Sequence, residues 1–313
     1  MGIWRSETMN ITKNILFTLH QKVTIFIVLL VVLLSFDSTV IAESSWPDLT
    51  GITASNVDEF DSNGKTLLMN EVHKYYLRNT RNSETLNRMR FLLEKGADPN
   101  LLSENHRKNS AFHAALDLEF LTPAIILLLE FGADPNQPDG KGYGSLFRVI
   151  NRNDTAAIRL LLEANTDPNQ IVSSTQYTAL MAAIHAKKGK EEIVELLLDF
   201  GANPDLAYTD ITPLTSAVIA QNPSLIKLLV QYGADINEKS LLILVSGNKP
   251  NISIVKLLIK LGANVNMQKE RGNTALHAAI HYRNQEIADL LIKHGALENI
   301  KNNMGKTPRD VAR

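Results

Sequence analysis

The sequence predicts an all-α solenoid of stacked helix-turn-helix units joined by short β-hairpin fingers. Three observations predict it. A string of the type Gly-Ala-Asp-Pro-Asn returns at a nearly constant interval. A second string of the type Thr-Pro-Leu opens each interval, and an apolar run of helical spacing precedes each Gly. A period of 20–50 residues marks repeat architectures, in which no single unit buries its apolar face and stacking makes one continuous core.

Composition sets the outer bounds. The 313-residue chain has a formal net charge of −1, too little positive charge for a nucleic-acid surface. It has no cysteine, which excludes disulfides, thiolate metal sites, a cysteine nucleophile and lipidation through sulfur.

The first 42 residues differ from the rest. Val23 to Phe36 reads VTIFIVLLVVLLSF without a charge, preceded by Arg5, Lys13 and Lys22 and followed by Asp37 to Ala42. Basic, then apolar, then small is the order of a secretory signal. Val40 and Ala42 fit the −3 and −1 sites, so cleavage is expected after Ala42. The rival is an uncleaved anchor, because Val23 to Ala42 approaches the roughly 20 residues a spanning helix needs. Either way the remainder is expected outside the cytoplasm, with 43–62 as a linker and 63–313 as the repeat domain.

The recurring string begins as Gly96-Ala97-Asp98-Pro99-Asn100 and Gly132-Ala133-Asp134-Pro135-Asn136. It continues at Asn165, Gly201, Gly233, Gly262 and Gly295, with spacings of 36, 33, 36, 32, 29 and 33. A Gly directly after an apolar helix is the left-handed cap residue, and Asn165 is the next best residue for that conformation. Thr178-Ala179-Leu180, Thr212-Pro213-Leu214 and Thr274-Ala275-Leu276 open units. Thr is a good N-cap and Pro suits the first helical position. Ala114-Ala115, Ala182-Ala183 and Ala278-Ala279 let each first helix lie close to its neighbours. Leu128, Leu161, Leu197, Leu228 and Leu258 on the second helices are expected to be buried.

These strings resemble ankyrin repeats, whose pattern runs G-x-T-P-L-H-x-A-A, a helix, then G-A-D-x-N. The resemblance covers Asn63 to the last residue, seven repeats and the opening of an eighth at Met304 to Ala312. Three units depart from it. The first has nine additional residues, expected in an inter-helix loop around Arg78 to Ser83. The third has Gly144-Ser145 in place of Thr-Pro. The sixth has eight residues from Gly233 to Leu241, against twelve from Gly262 to Thr274, so its finger should be missing.

No chemical motif survives comparison with the repeat. Gly64-Lys65-Thr66 and Gly305-Lys306-Thr307 lack the earlier Gly of a phosphate loop, since Glu59 and Ile300 stand there. Gly140, Gly142 and Gly144 follow no strand and read as turn glycines. His277 and His281 lie four apart on one helix, but no third ligand completes a zinc set. His277 and His113 occupy the family's structural His position. Asp98, Asp134, Asp167 and Asp235 recur once per unit, which suits hydrogen bonding within each turn. No cofactor, metal or catalytic residue is expected. Asn10, Asn153 and Asn251 begin N-x-S/T strings that carry little information.

The resemblance implies a non-enzymatic module that binds another protein through finger tips and the exposed side of the first helices. The candidate contact residues are Tyr143, Tyr177 and Ile211, which share one phase in three successive units, with Tyr208 at a finger tip and Arg152, His185 and Tyr282 at first-helix ends. Tyr and Arg are frequent interface hot spots. The expected protein is a monomer without nucleic acid. It resembles exported bacterial ankyrin proteins, most of all periplasmic ones, that hold, shield or inhibit a partner. A membrane-anchored scaffold and an effector secreted onto a host protein are the alternatives.

Overall fold

The computed structural model describes residues 46–77, 83–105, 108–117, 122–172, 177–186, 190–207, 211–238, 241–248, 250–269 and 271–311. The signal or anchor expected over 1–42 lies outside these residues. Among those described, no helix is long and apolar enough to cross a membrane. The chain divides into two compact units, Met1–Asp167 and Pro168–Arg313.

The first unit holds three helix pairs. These are α1 (Leu67–Leu77) with α2 (Ser83–Glu94), α3 (Ala111–Leu116) with α4 (Thr122–Glu130), and α5 (Ser145–Asn151) with α6 (Thr155–Glu163). The second unit begins with the two-residue strands β1 (Ile171–Val172) and β2 (Tyr177–Thr178), paired antiparallel with Ile171 opposite Thr178. Four further pairs follow: α7 (Ala179–His185) with α8 (Lys190–Asp199), α9 (Pro213–Ile219) with α10 (Pro223–Gln231), α11 (Leu241–Ser246) with α12 (Ile252–Lys260), and α13 (Ala275–His281) with α14 (Gln285–Lys293). A 3₁₀ turn at Arg309–Val311 stands at the eighth opening.

The helices are too short to persist alone, so packing holds them. Each second helix ends with a left-handed residue: the Gly φ values run from 84° to 99°, and Asn165 takes 62°. The amide after that residue donates back to the carbonyl five residues earlier, as in Ala133 to Leu128 and Ala202 to Leu197. Residues four before the Gly position, Leu128, Leu161, Leu197, Leu229, Leu258 and Leu291, are fully buried. Leu228, expected among them, stands five before Gly233 and is half-buried; Leu229 takes the core position. First helices open on side-chain caps, Thr178 to the Met181 amide, Thr212 to Thr215 and Thr274 to His277. Gly144 makes no such cap, and the Ser145 hydroxyl donates instead to the Pro135 carbonyl at 2.7 Å.

Two expectations need correction. Much of the extra length of the first repeat extends its helices, which have 11 and 12 residues against 7 and 9 in α13 and α14. The loop residues 78–82 lie outside the described set. The segment 43–62, expected to be a linker, packs from Trp46 onward: Trp46, Leu49 and Val57 are buried. The Trp46 ring meets Phe91 edge-on at 5.8 Å, and the Arg88 guanidinium lies over it. Arg88, itself buried, pairs with Asp48 and with the buried Glu71. This segment covers the apolar side of the first helix pair, as the end of a repeat stack requires.

Candidate interaction surface

Two edges of each unit are built differently. At the turn edge, Asp or Asn of the recurring string accepts the amide two residues on: Asp98 from Asn100, Asp134 from Asn136, Asn203 from Asp205, Asp235 from Asn237 and Asn264 from Asn266. The Asn at the end of the string reaches the next turn. Asn100 donates to the Gly132 carbonyl at 2.9 Å and accepts from the Asp134 amide at 2.7 Å. Asn136 does the same with Asn165 and Asp167, Asn169 with Gly201 and Asn203, and Asn266 with Gly295 and Leu297. Asp58, in the segment that begins with Trp46, starts this ladder by accepting the Asp98 amide. Burial raises the Asp58 pKa above the usual carboxylate value, against the hydrogen bond from that amide.

The finger edge is less uniform. Turns at 61–65, 139–143, 269–273 and 302–306 close on backbone bonds, with Asp61, Asp139 and Asn302 also accepting amides through their side chains. His113 and His277 lock two fingers. Each Nδ1 meets its own cap hydroxyl at 2.9 Å, on Ser110 and Thr274, and each Nε2 meets a finger carbonyl at 3.0 Å, on Gln137 and Lys306. Both rings are buried and fully engaged, so they are structural. Among the described residues no cluster of three His, Asp or Glu could hold a metal ion.

The candidate contact residues divide accordingly. In the first unit, Tyr143 is 41% exposed, its ring edge-on to Phe147 at 6.3 Å. Arg152 is spent on the fold: its guanidinium donates to the Leu116 carbonyl and pairs with Asp154. In the second unit, Ile211 is 36% and Tyr282 49% exposed. Tyr177 is half-buried, its ring stacked on His185 and its hydroxyl bonded to His185 Nδ1, so these two side chains hold each other. Tyr208 lies outside the described residues. Sequence reasoning missed the exposed Leu244 and Met304, at 44% and 73%, and a cleft of about 600 Å³ lined in part by Met304. Its lining includes Ile243, Arg271, Asn273, His281, Tyr282 and Met304. Two signals for it were present: the short interval before Leu241, and Ile243 at the position His277 fills in the next unit.

The family model for ankyrin repeats matches residues 146–240 and 241–312, more than half of the chain. A stretch of 111 residues is 31% identical to alpha-latrotoxin-Lg1a of Latrodectus geometricus, covering 33% of this chain and 8% of that protein. A fowlpox virus protein named for its ankyrin repeats is 35% identical over 128 residues, 40% of this chain and 29% of its own length. The chain thus spans under a third of these relatives. Among solved structures, the ankyrin repeat domain of Bcl-3 superposes with a TM-score of 0.50 at 24% identity, covering 80% of this chain and 95% of that one. An ankyrin repeat domain from Acinetobacter baumannii is 28% identical, with a TM-score of 0.49 over 57% of this chain and 86% of its own. Repeats of this kind are protein-binding modules and typically non-catalytic. With its in-phase turns, its capped helix pairs and the matched family model, the chain belongs to the ankyrin-repeat family.

Proposed function

We propose that this protein works outside the cytoplasm, where it binds one partner protein and holds, shields or inhibits it. The observation that carries the binding reading is the set of large apolar side chains left exposed at fingers and first-helix ends. Tyr143 stands so in the first unit, and Ile211, Ile219 and Tyr282 in the second. The core does not use them, because the Leu and Ala positions fill it. The order of residues 1–42 supports export, in the periplasm of a bacterium above all.

Two measurements test this. N-terminal sequencing from the native host should begin at Glu43; a full-length chain in the membrane fraction would replace export by anchoring. Replacing Tyr143 by Ala should leave the melting temperature nearly unchanged and weaken binding to the native partner by at least about 1 kcal/mol, roughly fivefold. Unchanged affinity would remove Tyr143 from the contact surface.

A further inference from the structure

The sixth repeat has a shorter connection before its first helix than its neighbours have. Only residues 238–240 separate Asn237 from α11, and among the described residues no finger turn closes there. The cleft of about 600 Å³ lies beside α11 within the second unit. Ile243, half-buried, stands on one side of the cleft. Tyr282 packs against Gly247, whose Cβ position lies at van der Waals distance from the ring. His281 meets the Tyr282 ring edge-on at 4.9 Å. Met304 adds a flexible apolar side chain.

The opposite wall is a held backbone that carries an arginine. Finger 269–273 closes through Lys269 to Asn273 and Gly272 to Lys269, and the Asn303 amide donates to the Arg271 carbonyl at 3.0 Å. The Asn302 amide group bonds the Asn273 side chain at 2.8 Å. Gly272 has φ of 72° and sits so close to Asn303 that a Cβ would collide with its side-chain oxygen and its backbone amide. The backbone carrying Arg271 is thus held from both sides. Arg271 is exposed and forms no ion pair among the described residues. Among the described residues, the cleft lining holds Arg271 and no carboxylate. Glu270, of opposite sign, is next in sequence and lies outside the described residues.

We infer that this cleft takes an extended segment of the partner protein in which an acidic side chain neighbours a large apolar one. The carboxylate pairs with Arg271 in a bidentate bond, and the apolar side chain enters between Ile243, Tyr282 and Met304. An open cleft with one cation on a held backbone, and no carboxylate among its described lining residues, favours such a segment over a basic or purely apolar one. The inference rests on the protein-binding reading above and adds the place and the chemistry.

A phage-displayed library of random dodecapeptides, panned on the full chain, tests it. Enriched peptides should carry Asp or Glu within two positions of Leu, Ile, Phe or Trp. Their affinity should fall at least about tenfold on Arg271→Glu and at least about threefold on Tyr282→Ala, with unchanged melting temperatures. It should also weaken as salt rises from about 0.05 M to about 0.5 M. Peptides that enrich without an acidic residue overturn the chemistry. Peptides that bind the Arg271→Glu variant as tightly as the wild type overturn the cleft and leave protein binding standing. No enrichment at all overturns the cleft as a peptide site, while export, read by sequencing the mature N-terminus, stands or falls separately.

Discussion

The turn edge and the finger edge of the same repeats obey different rules. At the turn edge, one residue type makes the same two bonds at step after step within each unit, as Asn100 and Asn136 do in the first and Asn169 and Asn266 in the second. At the finger edge, one connection is a two-stranded ladder, two fingers are locked by a buried His, and the sixth unit shows no finger turn among the described residues. The lesson is a division of labour. The edge that must repeat for stacking is fixed by short polar side chains. The edge that faces solvent varies, and the exposed apolar groups and the cleft are found there.

The largest expected effect lies between the edges, in the core both depend on. Leu197 is fully buried four residues before Gly201. Leu197→Ala should cost about 2–5 kcal/mol in a denaturant titration. Leu228→Ala, at the half-buried neighbouring phase, should cost clearly less; equal losses would remove the phase assignment.

The His lock comes next. His277→Ala strips a partner from the Thr274 hydroxyl and from the Lys306 carbonyl, and should cost about 1–3 kcal/mol. The exposed His281, on the same helix, should change stability by less than about 0.5 kcal/mol when replaced by Ala. Comparable losses would mean that the lock does not hold the finger.

The other lock predicts a pH response. Burial pushes the His113 pKa below its ordinary value of 6.5, and the Arg148 guanidinium pushes the same way. As pH falls below 6.5, the unfolded chain takes up a proton that the folded chain refuses. Stability should therefore drop from about pH 7.5 to about pH 5.5, and His113→Gln should flatten that drop. A slope unchanged by the substitution would assign the response to other groups.

The smallest effect sharpens the turn edge. Asp205 stands where the other rungs have Asn. It accepts the Asp235 amide at 2.9 Å, but a carboxylate has no N–H to give the Gly233 carbonyl. Asp205→Asn supplies the missing donor and should raise stability by about 0.5–1 kcal/mol. A loss of stability would mean that the rung geometry at this step differs from that of Asn169.

Much of the fold was legible because its determinants are local. Gly at a helix end, Thr at a helix start and Asp in a turn act within five residues, so spacing alone located them. Leu228 was misjudged by one position because periodicity blurs where two leucines adjoin and only the distance to Gly233 separates them. The linker reading of 43–62 failed because Trp46 and Leu49 are isolated apolar residues in a polar stretch, and nothing local says that Phe91 and the Arg88–Glu71 pair await them. Tyr177 and Arg152 looked free because a sequence does not show that His185 or the Leu116 carbonyl lies within reach.

The sequence by itself determined the repeat, its period, the caps of its helices and the polar turn of each unit. Each of these depends on backbone preferences and contacts a few residues long. The tertiary structure decided the rest: which Asn reaches the next turn, which aromatic side chains stay exposed, and that Ile243, Arg271 and Tyr282 line one cleft. The Asn rungs and the reach from Ile243 to Arg271 and Tyr282 join residues about 30 to 40 positions apart, and only stacking brings them within bonding or packing distance.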